Sequence, residues 1–408
     1  VNLQPIRGRV RTGLPALLLG AALLLTSACS GGGSGGGAGG SGGADGGGGT
    51  TGTEASKAVV SVKPDDGAKE VATSGVLKIS STGGKLSTVT VADTKGNAVE
   101  GKMAEDGASW EPARNLASAT EYKVHAVAKD EAGRESAKDT TFTTLTPVNT
   151  FIGHYTPEDG STVGVGMPVS INFTRGITNP EAVEKAITVT AEPAVPIEGH
   201  WFGNDRLDFR PEKYWAAGTT VTLKLALDGV EGRPGVYGKQ TRTVTFKVGR
   251  SQVTTVDAAE HEMQVVRDGA VVKNIPITAG APANTTYNGQ MVISEKYKVT
   301  RMNGATVGFG GEYDISDVPH AMRLTTSGTF VHGNYWASSG TFGSENVSHG
   351  CVGLKDVRGA GDGSQPAAWF FDESIIGDVV IVKNSKDKTV APDNGLNGWN
   401  MDWADWIK

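Results

Sequence analysis

The chain is mainly β, with two tandem immunoglobulin-like β-sandwiches followed by a third β-rich unit that ends in a short tryptophan-rich tail. Three observations predict this. Between residues 59 and 248, segments such as Tyr122-Lys123-Val124-His125-Ala126 and Thr220-Val221-Thr222-Leu223-Lys224-Leu225 have the alternation of half-buried strands. The same region repeats: Pro64-Asp65-Asp66-Gly67 returns as Pro157-Glu158-Asp159-Gly160, and Trp110-Glu111-Pro112 with Ala119-Thr120 returns as Phe209-Arg210-Pro211 with Gly218-Thr219. A repeat of about 95 residues with short strands between turns fits a sandwich, although the cysteine pair of antibody domains is absent. Beyond Arg250, Glu262-Met263-Gln264-Val265-Val266 and Ala270-Val271-Val272-Lys273 flank Arg267-Asp268-Gly269, whose Asp-Gly pair signals a tight hairpin.

Residues 1–29 form a secretory signal. Arg7, Arg9 and Arg11 make a basic start, residues 14–25 an apolar run too short to span a bilayer, and Leu25-Thr26-Ser27-Ala28-Cys29 a small-residue processing site. The last five residues resemble a bacterial lipobox, which implies cleavage before Cys29, lipidation of its thiol and a membrane anchor through that lipid. An ordinary cleaved signal is the alternative. Residues 30–56 are dominated by glycine and hold almost nothing that buries apolar surface, so they form a flexible linker. Random-coil scaling gives it a span on the order of 30 Å.

The two sandwiches occupy residues 57–147 and 148–250, and their job is spacing and positioning. His125, His154 and His200 have no second ligand at metal spacing and are surface or packing histidines. The chain of 408 residues holds only two cysteines, so if both are used chemically its domains rest on their cores alone, and 38% hydrophobic content is enough to build them. A net charge of −6 leaves no basic footprint for nucleic acid.

The third unit spans residues 251–385. Further strands are expected at residues 292–295, 328–332 and 379–382. The glycine-rich stretch between, residues 298–320, carries Met302, Phe309 and Tyr313 and reads as a lid over a site. Near its end stands Ser348-His349-Gly350-Cys351-Val352, preceded by His332. A thiol with an unperturbed pKa of about 8.5 is only a few per cent thiolate at neutral pH, so a cysteine nucleophile needs a base. His332 and His349 are both candidates.

These residues resemble the signature of the bacterial L,D-transpeptidases: a histidine, a spacer of some fifteen residues, then Ser/Thr-His-Gly-Cys. His332, residues 333–347 and Ser348-His349-Gly350-Cys351 fit it. The two sandwiches and the lipobox resemble the actinobacterial branch. The resemblance implies an acyltransferase in which Cys351 is the nucleophile and His332 the general base, oriented by the backbone carbonyl of Gly333. It gives His349 a supporting role, with a base role left open. Gly350 lets the chain turn so that the amides of Gly350 and Cys351 face a developing oxyanion, to which Tyr313 adds a hydroxyl.

Ser327 and Gly328 match a substrate-contact pair of the family, and Met302 and Trp336 match pocket residues, each with packing as the plainer alternative. Relatives often carry Asn or Arg two residues after the cysteine; here Gly353 stands there, so that contact is absent or supplied elsewhere. The implied substrates are peptidoglycan stem peptides, joined as 3→3 cross-links through a thioester with release of D-Ala. No cofactor or metal is implied, and carbapenems are expected to acylate Cys351.

Other readings use the same residues. Hydrolysis would make the chain an L,D-carboxypeptidase. A sortase-like enzyme would need an arginine at the oxyanion, for which Arg358 is near in sequence. A papain-like protease has the opposite order of cysteine and histidine, and a zinc site from His332, His349 and Cys351 lacks structural spacing. A non-catalytic cell-surface module is the remaining alternative. In the tail, residues 386–408, Trp399, Trp403 and Trp406 fall on one face of a helix, which either packs back on the catalytic domain or stacks on glycan.

Overall fold

The computed structural model describes residues 54–307 and 310–408. The signal segment with Cys29, most of the glycine-rich linker and Phe309 of the expected lid lie outside the described residues.

The internal repeat is a repeat of structure. In the first sandwich one sheet joins Val59–Lys63, Lys78–Thr82, Ser109–Pro112 and Gly101–Met103, and the other joins Ala68–Val71, Glu135–Thr144, Glu121–Lys129 and Lys85–Asp93. The second sandwich has the same two strand orders, beginning with Gly153–Thr156 and Thr162–Val163, and adds a small three-stranded sheet. Its recurring turns explain the recurring sequence. Asp66 Oδ1 accepts from Thr141 N at 2.7 Å and Gly67 N donates to Thr141 O at 2.8 Å. In the second copy Asp159 and Gly160 treat Thr245 identically, at 2.8 Å each. Both glycines are left-handed, with φ of 74° and 73°.

The third unit is a nine-stranded sheet in the order Gly289–Val292, Val379–Lys383, Gln252–Asp257, Glu262–Arg267, Ala270–Thr278, Val352–Lys355, Phe330–Asn334, Asp314–Arg323, Glu295–Asn303. The Asp-Gly hairpin closes as expected: Arg267 pairs with Ala270, and Asp268 and Gly269 have φ of 48° and 83°. The helix Pro366–Glu373 buries Ala367, Ala368 and Phe370 against the sheet. Eight residues give too little periodicity to announce it.

The lid is shorter than the stretch expected for it. Residues 298–303 and 314–320 belong to two long antiparallel strands, with Met302 opposite Ile315, so an arm of sheet carries a loop of about ten residues at its tip.

The two junctions between units differ. The sandwiches meet through polar contacts, Thr73 Oγ1 to Gly229 O at 2.5 Å and Ser118 Oγ to Asp228 Oδ1 at 2.7 Å. The second sandwich and the nine-stranded sheet share a core, in which Val379 clusters with Val163, Val165 and Met167. Gly164 and Gly166 donate to Ile376 O and Gly377 O, and a Cβ on Gly164 would stand 2.2 Å from Asp378 N. Arg250 pairs with the buried Asp378 at 2.9 Å.

The tail corrects the expected amphipathic helix. Only Trp403–Trp406 is helical; Trp399 belongs to the separate 3-10 turn Gly398–Asn400. All three tryptophans surround the guanidinium of Arg210 in the second sandwich, at 4.9, 5.3 and 4.2 Å for Trp399, Trp403 and Trp406. Trp406 Nε1 donates to Glu198 O at 3.0 Å, and His200 Nδ1 lies 2.9 Å from Trp406 O. The nine-stranded sheet is held by the tail's asparagines instead. Asn397 and Asn400 accept from Val292 N and Gln290 N, at 2.9 and 2.8 Å, and so cover the edge strand. The second sandwich is therefore packed into the third unit through a shared core and the tail.

Candidate active site

Strand register brings the thiol and the imidazole together. Phe330–Asn334 and Val352–Lys355 are parallel neighbours, with His332 in register with Gly353. Val331, Val352 and Leu354 face the core, so His332 and Gly353 take the opposite face, and Cys351, one residue before the strand, lines the same cavity as His332.

His332 is buried, and its Nδ1 lies 2.9 Å from Gly333 O. A carbonyl only accepts, so Nδ1 carries the proton and Nε2 keeps its lone pair. Burial pushes the imidazole pKa below 6.5, with the Gly333 carbonyl and Asp356 opposing. Trp336 stacks on the ring at 5.7 Å and is itself 44% exposed at the mouth.

Cys351 is half-buried, and its Sγ lies 3.6 Å from Gly328 O. Burial pushes the thiol up to about 11. The resting pair is thus neutral thiol and neutral imidazole.

The turn before the cysteine is tied by Ser348. Its Oγ donates to Cys351 O at 2.6 Å and accepts from Gly350 N at 3.2 Å. Gly350 has φ of 110°, which a side chain would oppose. The amide of Gly350 is used inside the turn, which corrects the expectation that it faces an oxyanion.

Cys351 opens on a cavity of about 350 Å³. The strand Phe330–Asn334 supplies His332 and Asn334 to it, the bend after that strand Trp336, the arm Met302, Tyr313 and Ile315, and the turn Val347, Ser348 and His349. Burial, with Cys351 and Glu312 nearby, pushes the Tyr313 hydroxyl up to about 12. His349 has its Nε2 3.2 Å from Glu312 Oε2 and its ring 5.0 Å from Tyr313.

Three expected contact residues do not line this cavity. Ser327 is exposed and tied to Asn394, which donates to its Oγ at 2.8 Å. Gly328 offers its carbonyl to the thiol; a Cβ there would strike Val307 Cγ1 at 2.4 Å. Gly353 is buried in the sheet, where a Cβ would meet Thr278 Cγ2 at 2.9 Å and Asn334 Nδ2 at 3.4 Å.

Asn334 was missed by sequence reasoning. It lies two residues after His332 on one strand face, and that spacing was the available signal. Its Oδ1 accepts from Trp336 N and Ala337 N, at 3.2 and 2.9 Å, which fixes the amide. Arg358 pairs with Asp317 at 2.5 Å on the surface and does not line the cavity. Among the described residues no group of three His, Cys, Asp or Glu is placed to hold a metal.

A thiol and a tautomer-fixed imidazole on one sheet face, over a walled cavity, define a cysteine enzyme of acyl transfer. Residues 251–382 match the L,D-transpeptidase catalytic domain family, and residues 68–231 match a bacterial Ig domain. The chain is 32% identical over 346 residues to L,D-transpeptidase 2 of Mycobacterium tuberculosis (strain CDC 1551 / Oshkosh), covering 84% of this chain and 82% of the relative. It is 30% identical to L,D-transpeptidase 5 of Mycobacterium tuberculosis (strain ATCC 25618 / H37Rv), covering 85% and 76%. Among solved structures, an LD transpeptidase in complex with imipenem is 27% identical, covering 58% of this chain and 100% of that one, with a TM-score of 0.48. L,D-transpeptidase 3 from Mycobacterium tuberculosis in complex with a faropenem-derived adduct is 28% identical, covering 57% and 97%, with a TM-score of 0.46. The chain belongs to the L,D-transpeptidase family. It is a peptidoglycan L,D-transpeptidase, an acyltransferase of the cell wall.

Proposed function

We propose that the enzyme forms 3→3 cross-links through a thioester on Cys351. The thiol gives its proton to His332 Nε2 as the sulfur attacks the carbonyl of the third stem residue. The tetrahedral intermediate collapses, the imidazolium returns the proton to the leaving nitrogen, and D-Ala departs. An amine of a neighbouring stem then attacks the thioester, and His332 takes its proton while the sulfur leaves. The backbone amide of Cys351 and the hydroxyl of Tyr313 stabilise the oxyanion.

The observation that carries this reading is the hydrogen bond from His332 Nδ1 to Gly333 O, which leaves Nε2 as acceptor on the face that bears the thiol. Met302 and Trp336 wall the stem-binding cavity. The amide of Asn334 supplies the polar contact that Gly353 does not offer, since its nitrogen stands beside the space a side chain at 353 would fill. Ser348 holds the turn, Gly350 permits it, and Gly328 steadies the thiol before reaction, while Ser327 acts through the Asn394 contact.

The reaction needs no cofactor, because the thioester conserves the energy of the bond to D-Ala. A carbapenem acylates the same sulfur; one solved relative is a complex with imipenem. Cys29 carries the lipid that attaches the enzyme to the membrane, with residues 30–56 as tether and residues 57–147 and 148–250 as the two modules before the catalytic unit at 251–385. Cys29→Ser is expected to shift the protein out of the membrane fraction.

Intact-mass analysis with imipenem tests the nucleophile. Wild type is expected to gain one adduct and Cys351→Ala none, with circular dichroism unchanged. An adduct on folded Cys351→Ala contradicts the assignment.

A further inference from the structure

Behind the site, outside the cavity, stand two buried ionisable side chains that the chemistry above leaves unused. His320 and Asp356 are 4% and 6% exposed, and His320 Nδ1 lies 2.7 Å from Asp356 Oδ2. They come from different strands. His320 belongs to Asp314–Arg323 and takes a left-handed φ of 46°, while Asp356 follows Val352–Lys355, the strand that leads away from the nucleophile. A buried ionisable pair and a left-handed strand residue are both costly, and such costs concentrate where a function needs them.

The carboxylate is held at both oxygens, since Asp356 Oδ1 accepts from Val357 N at 2.7 Å. Its Oδ2 occupies the space where residue 333 would carry a side chain: a Cβ on Gly333 would stand 2.1 Å away. Asp356 therefore lies directly against the residue whose carbonyl orients His332. Its negative charge also favours the protonated imidazole.

We propose that the His320–Asp356 pair is a positioning device for the base. Asp356 seats the Gly333 peptide so that its carbonyl meets Nδ1–H of His332, and its charge balances the imidazolium formed when the Cys351 proton moves to Nε2. His320 holds the carboxylate in that seat. The pair touches neither stem peptide nor thiol and acts only through the base.

The proposal rests on His332 being the base, and the experiment separates the two. On the full chain, single-turnover acylation by imipenem gives a maximal rate and a half-saturating concentration for each variant. Asp356→Asn keeps the shape and removes the charge; it is expected to slow the maximal rate by about tenfold or more with half-saturation unchanged. His320→Gln keeps a donor to the carboxylate and is expected to slow the same step by roughly threefold. Gly333→Ala collides with the carboxylate, and adding Asp356→Ala relieves the collision but leaves the rate at the level of Asp356→Ala alone. Wild-type maximal rate in folded Asp356→Asn, in folded His320→Gln or in the double variant overturns the proposal. If His332→Ala is dead while Asp356→Asn runs normally, only the positioning role falls. If His332→Ala itself acylates at the wild-type rate, the base assignment falls with it.

Discussion

The two walls of the active-site cavity are built in different ways. One is sheet: His332 and Asn334 sit on a strand with neighbours on both sides, and His332 is 5% exposed. The other is the tip of a two-stranded arm, where Glu312 and Tyr313 meet His349, whose side chain is 38% exposed. Register fixes the first wall, because moving His332 relative to Cys351 would break parallel pairing along the whole strand. The second wall meets near solvent through the contact between His349 Nε2 and Glu312 Oε2 at 3.2 Å, an exposed polar contact that contributes little. In the proposed mechanism proton transfer, which tolerates little misplacement, belongs to the first wall, and admission of a bulky stem peptide to the second.

Breaking the first wall gives the largest effect. His332→Ala is expected to slow acylation by about 100-fold to 10,000-fold without loss of fold, measured as adduct formation with imipenem. The pH profile sharpens the same contrast. Protonated His332 accepts no proton, so the rate falls as pH drops through its pKa, and burial places that pKa below 6.5. The half-maximal rate on the acid side is therefore expected below pH 6.5; a midpoint at or above it would contradict a buried base.

Changes to the second wall are smaller. His349→Ala is expected to raise KM for a stem-peptide donor by about tenfold or less with a smaller change in kcat, because it lines the cavity while the proposed proton transfer runs through His332. Glu312→Gln removes one exposed charge and is expected to change kcat/KM by no more than about twofold at physiological salt. A larger loss from Glu312→Gln than from His332→Ala would invert the comparison.

The sequence made the first wall legible and the second only in outline. Cys351, His332 and the turn residues lie within one short motif, and the internal repeat exposed both sandwiches because its turns demand the same Asp and Gly in each copy. Asn334 was overlooked although it stands two residues after His332, whereas His320 and Asp356 were not legible, since their significance comes from strands brought together by register and not by nearness in the chain. The lid was over-read because a glycine-rich start hid the strand Asp314–Arg323. The tail was misplaced for another reason: the partner of its tryptophans, Arg210, lies about 190 residues earlier and reads locally as a strand residue of the repeat. Trp406 is fully buried in that contact, so large-to-small truncation there is expected to cost about 3–5 kcal/mol of stability, read as a fall in Tm.

The central claim is that Cys351, with His332 as its base, takes the stem peptide as a thioester and expels D-Ala. Incubating the full-length enzyme with a tetrapeptide stem and no acceptor amine, then mapping the trapped species by peptide mass spectrometry, tests it most directly. The account predicts an adduct on Cys351 with the mass of the stem less D-Ala, absent from Cys351→Ala and strongly reduced in His332→Ala. An adduct that retains D-Ala, one on another residue, or turnover of the stem by folded Cys351→Ala would contradict it.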